Sequence, residues 1–354
     1  MAQVTDHGGG VRSIRVPIPD NPLGHTLVYV VDTDRGPALI DTGWDDPDSW
    51  DVLTEGLTAC GTSAAEIHGV VVTHHHPDHH GLSGRVREAS GAWIAMHAAD
   101  TAVVRRMRET RRGLWLSYME RKLTAAGAPD AHVAPLRAAR PGEGRAFTAA
   151  LPDRDILPGE LLDLPGRRLR AVWTPGHTPG HVCLHLEEAH PAGLTGHGRL
   201  FSGDHLLPEI TPHIGLYEAP DDDGNLPGPH GLTGSGEVTD PLGDYLDSLE
   251  RVGRLGPAEV LPAHQHAFTD APARVRQLLA HHEERLTGLL ALLTVPLTPW
   301  QLAERMEWNR PWDRIPGQSR TIAVSEAEAH LRRLVKLGRA EADLDADPVT
   351  YVAV

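Results

Sequence analysis

Apolar and polar positions along the chain fall into strand-like and helix-like stretches that alternate. Residues 11–17, 25–32 and 38–41 are rich in β-branched side chains and are broken by turn signals such as Asp34-Arg35-Gly36, so they are predicted strands. Residues 45–60 are a predicted helix, with Asp45 or Asp46 at its start and Gly61 just past its end. Residues 68–73 centre on Val70-Val71-Val72 and read as a short buried strand. A helix over 81–89 and a strand over 92–97 follow. Residues 98–136 are mainly helical. Residues 168–173, 181–186 and 199–202 are predicted strands, 242–252 and 271–293 predicted helices, and Val260-Leu261 the end of a strand. Residues 219–240, dense in Gly, Pro and Asp, are a predicted surface loop. Two halves that each begin with strands suit a layered α/β architecture.

The pattern changes at Leu297. A short helix is predicted there, capped by Thr298 with Pro299 at its first position. A second helix over 325–337 carries Leu331, Leu334 and Val335 on one face and ends at Gly338. Residues 339–344 and 349–354 then suit a two-stranded wing. The expected division is a catalytic domain over 1–293, with a helical insert at about 98–136, and a small extension over 294–354.

Composition narrows the functions. Hydrophobic residues make up 40% of the 354 and charged residues 23%, enough for a packed core. No apolar run reaches the roughly 20 residues of a membrane helix, and the first twelve residues lack a secretory pattern. A cytoplasmic protein without membrane partners is expected. Cys60 and Cys183 read as buried fillers, not as a disulfide or as ligands. The net charge of −15 argues against a nucleic-acid partner.

The 23 histidines matter through their placement. Thr73-His74-His75-His76-Pro77-Asp78-His79-His80-Gly81 follows a buried strand and precedes a helix, where a scaffold can aim an exposed turn. His74 and His76 are spaced to point the same way from extended chain. Asp78 and His79 lie a little further on, so one pair can serve one metal and the other a second. Incidental histidine tracts lie instead at termini or in disordered segments.

This segment resembles the HxHxDH signature of the metallo-β-lactamase superfamily. Three more of that family's elements occur in its order: Thr174-Pro175-Gly176-His177-Thr178-Pro179-Gly180-His181, Phe201-Ser202-Gly203-Asp204 and Leu261-Pro262-Ala263-His264. Ile40-Asp41-Thr42-Gly43 resembles an early element that supports the site. The resemblance covers roughly residues 11–290. It implies an α/β fold, the αββα metallo-β-lactamase sandwich, here with a small C-terminal winged-helix-like domain. It also implies two divalent metal ions. His74, His76 and His177 would hold one, Asp78, His79 and His264 the other, and Asp204 would bridge them. Asp78, His79 and Asp204 would serve catalysis, through a hydroxide shared by the metals. Pro262-Ala263-His264-Gln265-His266 departs from the usual Pro-Gly-His-Gly, which leaves His266 as a rival to His264. Imidazoles with few carboxylates and no cysteine suit Zn2+, with iron or manganese as alternatives.

Of the other histidines, His75 and His80 are expected to be exposed or to pack behind the ligands, and His181 to brace its loop. His205 and His213 are candidate substrate contacts, and so are Trp115 and Tyr118, which lie among basic residues from Arg105 to Lys122. That cluster suits a phosphorylated acyl carrier; the plainer reading is a solvated helix face. Leu297–Val354 resembles the winged-helix-like extension of hydroxyacylglutathione hydrolase-related and endoribonuclease-like members. Residues 295–354 hold eight Lys and Arg against nine Asp and Glu, so no basic surplus awaits a polyanion. The expected function is hydrolysis of an ester, thioester or lactone, on a small molecule or an acyl carrier. A metal-dependent endoribonuclease and a mononuclear-iron oxygenase are the alternatives. A homodimer is compatible with the sequence.

Overall fold

A computed structural model describes residues 2–109, 112–139, 150–216 and 239–354 of the chain; the side chains of 109, 112–115 and 318 lie outside that description. Contacts divide the chain into two compact units. The first comprises Met1–Met107, Ala146–Pro212 and Asp247–Arg276, and the second Arg108–Arg145, His213–Leu246 and Gln277–Val354.

The first unit is built on two sheets. One has the strand order β1 (Val4–Asp6), β2 (Val11–Pro17), β3 (His25–Val31), β4 (Ala38–Ile40), β5 (Gly69–Val71), β6 (Trp93–His97), β7 (Arg154–Ile156). It is antiparallel from β1 to β4 and parallel from β4 to β7. The other runs β11 (Glu259–Pro262), β10 (Arg199–Gly203), β9 (Val182–Leu186), β8 (Leu169–Trp173), with β10 and β11 parallel. The two-residue side-chain period assigns the faces. Leu27, Tyr29 and Val31 of β3 join Leu169, Ala171, Leu184, Leu186, Phe201 and Leu261 in the core between the sheets. Val28 and Val30 pack on the other face against Leu53 and Leu57 of α1 (Pro47–Ala59) and Val86 of α3 (Ser83–Ser90). Short α2 (Pro77–His80) lies between those helices in sequence. On the outer side of the second sheet, Ser248 of α7 (Pro241–Leu255) donates to the Pro175 carbonyl (3.0 Å), and Leu249 and Val252 are buried. Helix, sheet, sheet and helix are the layers expected.

Backbone bonds lock the two sheets together at one edge. The Leu27 N–H donates to the Ala263 carbonyl (2.7 Å) and the Val182 N–H to the Thr73 carbonyl (2.9 Å). The Tyr29 hydroxyl donates to the Pro262 carbonyl (2.7 Å). That edge holds the ends of β4, β5, β10 and β11, from which the histidine and aspartate loops depart.

The second unit contains α5 (Arg112–Ala125), α6 (Asp130–Ala138), α9 (Pro299–Arg305), α10 (Gly317–Lys336) and the antiparallel pair β12 (Ala340–Asp343) and β13 (Thr350–Ala353). Helix α4 (Ala98–Glu109) and helix α8 (Ala271–Leu292), like α7, run across the division. Thr298 caps α9 in a capping box with Gln301. Ala126, Trp300, Ala303, Val324 and Ala327 form a core that joins the end of the helical insert to the C-terminal residues. Behind it lies a buried polar chain. His282 Nδ1 lies 3.2 Å from His330 Nε2, and His330 Nδ1–H donates to the Glu326 carbonyl (2.8 Å).

Two outcomes are expected. Gly56, on the buried face of α1, leaves no room for a Cβ, which would lie 2.4 Å from Ile14 Cγ2. Alanine gains about 1 kcal/mol of helix propensity, but overpacking a filled core costs about 1–3 kcal/mol. Gly56→Ala is therefore expected to lower the unfolding free energy in a urea titration; a gain would show that Ile14 has space to move. In the second unit, burial pushes His282 down to about 3 and His330 to about 4, with Glu326 opposing the shift in each and Arg285 adding to it. The unfolded chain then takes up protons that the folded one refuses. The stability from this pair is present above about pH 6.5 and falls as pH drops toward 4 and 3. His282→Gln should reduce the difference in unfolding midpoint between pH 7.5 and pH 5; an unchanged difference counts against the pair.

Candidate metal centre

Seven side chains from four loops meet at the edge where the sheets are joined, all of them within the first unit. His74 and His76 lie in the turn after β5. His76 is the N-cap of α2, with Pro77 in its first turn, so Asp78 and His79 emerge from the first turn of that helix. His177 lies in the loop between β8 and β9, Asp204 follows β10 and His264 follows β11.

Among the described residues the possible ligand atoms fall into His74, His76 and His177, and Asp78, His79 and His264, with His74, His79 and Asp204 overlapping both. His76 Nδ1 lies 3.0 Å from both His74 Nε2 and His177 Nε2. Asp78 Oδ2 lies 3.4 Å from His79 Nε2 and 3.3 Å from His264 Nε2. Asp204 faces both groups. Its Oδ1 is 3.4 Å from His79 Nε2 and 3.2 Å from His264 Nε2, and its Oδ2 is 3.5 Å from His177 Nε2.

These residues fit divalent-cation binding. His79 Nε2, His264 Nε2 and Asp204 Oδ1 are buried and have no hydrogen-bond partner, a costly arrangement unless something else satisfies them. The opposite ring nitrogens are already committed. His79 Nδ1–H donates to Asp41 Oδ2 (2.8 Å) and His264 Nδ1–H to the His25 carbonyl (2.9 Å). Both Nε2 atoms therefore present lone pairs inward. Thr73 spends its hydroxyl proton on Asp41 (2.9 Å), so its oxygen accepts from His74 Nδ1–H (3.1 Å), and His74 Nε2 also faces inward.

Electrostatics agree. Burial lowers the pKa of His264, but the carboxylates of Asp204 and Asp78 outweigh it and push the imidazole up to about 10. Burial likewise opposes the charge on His79, and Asp78, Asp204 and Asp41 override it. Asp78 and Asp204 stay well below the usual carboxylate range despite burial, because the two histidines face them. A carboxylate pair that holds protons on its neighbours is a site that a cation would occupy in their place. His74 and His76 are driven well below their ordinary value by burial first, and then by neighbouring imidazoles, His79 foremost for His74 and His177 for His76.

Asp41 is the brace beneath the centre. It accepts the Thr73 N–H (2.8 Å) and the Thr73 hydroxyl as well as His79. It does so at φ +60, in the left-handed region that non-glycine residues rarely adopt. The Thr42 N–H and hydroxyl both donate to the His79 carbonyl (2.7 and 3.0 Å). Gly43 must lack a side chain, since a Cβ would lie 2.5 Å from Val16 Cγ1.

The structure brings His264, not His266, to the centre; His266 is exposed. Gln265, where the family has glycine, adopts φ +71, and its Oε1 accepts the Glu209 N–H (3.1 Å). His181 braces its loop: it takes the Asp204 N–H on Nε2 (3.2 Å), so Nδ1–H donates to Thr174 Oγ1 (2.8 Å). His80 is fully buried, donating to the Ala150 carbonyl (2.8 Å), and His75 lies half-buried against Asp100.

The candidate substrate contacts are scattered. His205 is fully buried; burial drives it down to about 3 against a bond with the Ser248 backbone. His213 belongs to the second unit, with Nδ1 3.6 Å from Glu326 Oε2. Tyr118 is buried in α5. Trp115 also lies in α5, with its side chain outside the described residues. In the basic stretch, Arg105 and Arg121 are exposed but Lys122 is buried. No motif marked Asp100, a buried carboxylate beside His75 that also touches the His177 loop.

Asp41→Ala is expected to cost about 2–4 kcal/mol of unfolding free energy in metal-free protein, because it strands three buried donors and puts alanine at a positive φ. Asp41→Asn should cost less, since asparagine tolerates that conformation. A urea titration in chelator reads both. A loss under 1 kcal/mol for alanine would show that solvent reaches those donors.

Comparison with known proteins agrees with this geometry. Residues 21–264 match the model of the metallo-β-lactamase superfamily. A crystal structure of a metallo-β-lactamase family protein from Thermus thermophilus is 30% identical, with a TM-score of 0.75 over 98% of this chain and 99% of that one. The probable metallo-hydrolase YqjP of Bacillus subtilis is 25% identical over 91% of both chains. The lactamase-like protein nscB of Aspergillus fumigatus is 32% identical over 146 residues, 40% of this chain and 34% of that protein. The chain spans about a third to three-fifths of the length of the fungal lactamase-like proteins that it matches first.

Proposed function

This chain belongs to the metallo-β-lactamase superfamily as a metallohydrolase, and from that premise we propose that it uses two divalent cations to hydrolyse an ester, thioester or lactone. The observation that carries the reading is Asp204, whose two oxygens face the two ligand groups separately while Oδ1 has no hydrogen-bond partner. In this reading His74, His76 and His177 hold one cation, Asp78, His79 and His264 the other, and Asp204 spans them. Zinc is the proposed metal, because the donor set is imidazole with carboxylate and no thiolate. When bound, the pair supplies Lewis acidity toward a carbonyl oxygen and a water acidic enough to attack near neutral pH.

The chain's own residues do the rest. Asp41 and the His25 carbonyl fix which nitrogen of His79 and His264 turns inward. Thr73 does the same for His74. The anionic Asp78 and Asp204 draw positive charge to the centre, which bound cations would supply in place of protons on His79 and His264. A complete second group favours this reading over a mononuclear-iron oxygenase, which needs only the three-histidine group.

The acyl preference has separate support. The net charge of −15 and the balanced charge of residues 295–354 offer no track for a polyanion. Lys122, inside the basic stretch, is buried. Among the described residues no helix is long and apolar enough to cross a membrane, which agrees with a small-molecule or carrier-bound substrate met in water.

A parallel assay tests the reading. Zinc- or manganese-loaded protein is given acyl-coenzyme A thioesters, simple lactones, a β-lactam and single-stranded RNA, with Asp78→Ala as control. Chelator-sensitive turnover of at least one acyl substrate is expected, with two cations per chain. Asp78→Ala should lower that turnover by about two orders of magnitude or more, as loss of a shared activating site does. RNA cleavage without acyl turnover would replace this reading with a nuclease. One iron per chain would replace it with an oxygenase.

A further inference from the structure

His74 and His76 leave one loop and His177 another, so their three nitrogens converge only while the two loops keep a fixed separation. One buried carboxylate outside the ligand motifs spans them. Asp100 is fully buried in the first turn of α4, within the first unit. Its Oδ2 accepts the His75 N–H (2.8 Å) and lies 3.1 Å from His75 Nδ1, between the two ligands of the first loop. The same oxygen accepts the Thr178 hydroxyl (2.8 Å), one residue after His177. Oδ1 accepts the Gly180 N–H (2.6 Å). The fit is close: a Cβ on Gly180 would lie 2.5 Å from Asp100 N and 2.6 Å from its Oδ1. Gly180 has no positive φ, so contact with Asp100, not backbone conformation, accounts for glycine there. Burial opposes ionisation, but His75 and the converging donors hold Asp100 below the usual carboxylate range. Both loops therefore bond to an anion.

We propose that Asp100 is a positioning residue that clamps the His74–His76 loop to the His177 loop and so sets the affinity of the three-histidine group for its cation. This rests on the dinuclear reading above. A carboxylate that served only the fold would stabilise the first unit without favouring one metal site. The clamp instead touches two loops of the three-histidine group directly. The histidines of the other group have different anchors, Asp41 for His79 and the His25 carbonyl for His264, while Asp204, which faces both groups, is held by His181.

The test is cobalt titration of metal-free protein, followed by absorbance and by competition with a chelator, beside thermal unfolding of the same samples. Wild type should bind two cations. Asp100→Ala should weaken one of them about 10–100-fold, the usual effect of losing a group that orients ligands, and leave the other near its original affinity. In a His79→Ala background, where only the three-histidine group is whole, Asp100→Ala should weaken the cobalt that remains by the same factor. Thr178→Val, which removes one hydroxyl, should act in the same direction and less. Asp100→Asn should lie between, because an amide offers one acceptor oxygen in place of two. Equal weakening of both sites alongside a matching fall in the unfolding midpoint would overturn the proposal, and so would two unchanged affinities. Should Asp100→Ala fail to fold, Thr178→Val decides. Fewer than two cations in wild type would overturn the dinuclear reading itself, a result distinct from a wild type that binds two and an Asp100→Ala that does the same.

Discussion

The structure turns on a concentration of inward-facing lone pairs. Asp204 Oδ1 is buried 3.4 Å from His79 Nε2 and 3.2 Å from His264 Nε2, and none of the three atoms has a hydrogen bond. Nothing in a folded chain tolerates that cheaply; an unpaired buried polar group costs about 1–3 kcal/mol and an unpaired charge more. The surrounding protein makes the arrangement obligatory by occupying the other side of each ring. Asp41, Thr73 and the His25 carbonyl each take an N–H that would otherwise be free to turn inward. Cations are the one class of ligand that answers all these lone pairs at once, so stability and metal affinity are set by the same bonds.

That demand explains why two sheets meet here. Each loop must be aimed to a few tenths of an ångström, and each departs from the end of a buried strand. The Val182 N–H to Thr73 carbonyl and Leu27 N–H to Ala263 carbonyl bonds tie the sheets at the roots of those loops. Strain is admitted where aim requires it. Asp41 and Gln265 both sit at positive φ beside the centre, at about 1–3 kcal/mol each. Gln265 recovers part of that cost through the Glu209 N–H. The expected glycine is thus replaceable here because a side chain finds a partner, while Gly43 is not, because Val16 fills the space.

Most of this was legible in the sequence for a definite reason. Ligands must be particular residue types at particular offsets, and buried strands such as β3 and β5 must be apolar. The predicted strands over 11–17, 25–32 and 168–173 match β2, β3 and β8 within a residue or two. What escaped notice lacks a local pattern. Strands β1 and β7 are three residues each, too short for a period, and exist because β2 and β6 offer them edges. The last long helix begins at Gly317 in place of 325 because Pro316 serves as its N-cap, ahead of any apolar repeat. The predicted helix over 81–89 is α3 within two residues, but the separate short helix α2 before it, capped by His76 and carrying Asp78 and His79, was not foreseen. Asp100 is the instructive omission. An aspartate in the first turn of a helix is ordinary, and only three-dimensional proximity to His75 and Thr178 sets it apart. The predicted loop over 219–240 falls largely outside the described residues.

The proposed ligands and most of the residues singled out as substrate contacts belong to different units of the chain. Every ligand of the centre belongs to the first unit, whereas Trp115, Tyr118 and His213, three of the four residues singled out as substrate contacts, belong to the second. The fourth, His205, is in the first unit but fully buried. Ligand motifs can be read from sequence because a cation demands particular residue types at particular offsets. Substrate contacts impose no such common spacing, and fold does not supply them. The second unit also has its own buried polar chain, Glu326, His330 and His282, and its own aromatic core around Trp300. None of those contacts involves a residue of the proposed metal centre. A segment stabilised in that way can change its surface residues while the seven ligands stay as they are, which is the condition under which one hydrolytic centre comes to serve many substrates.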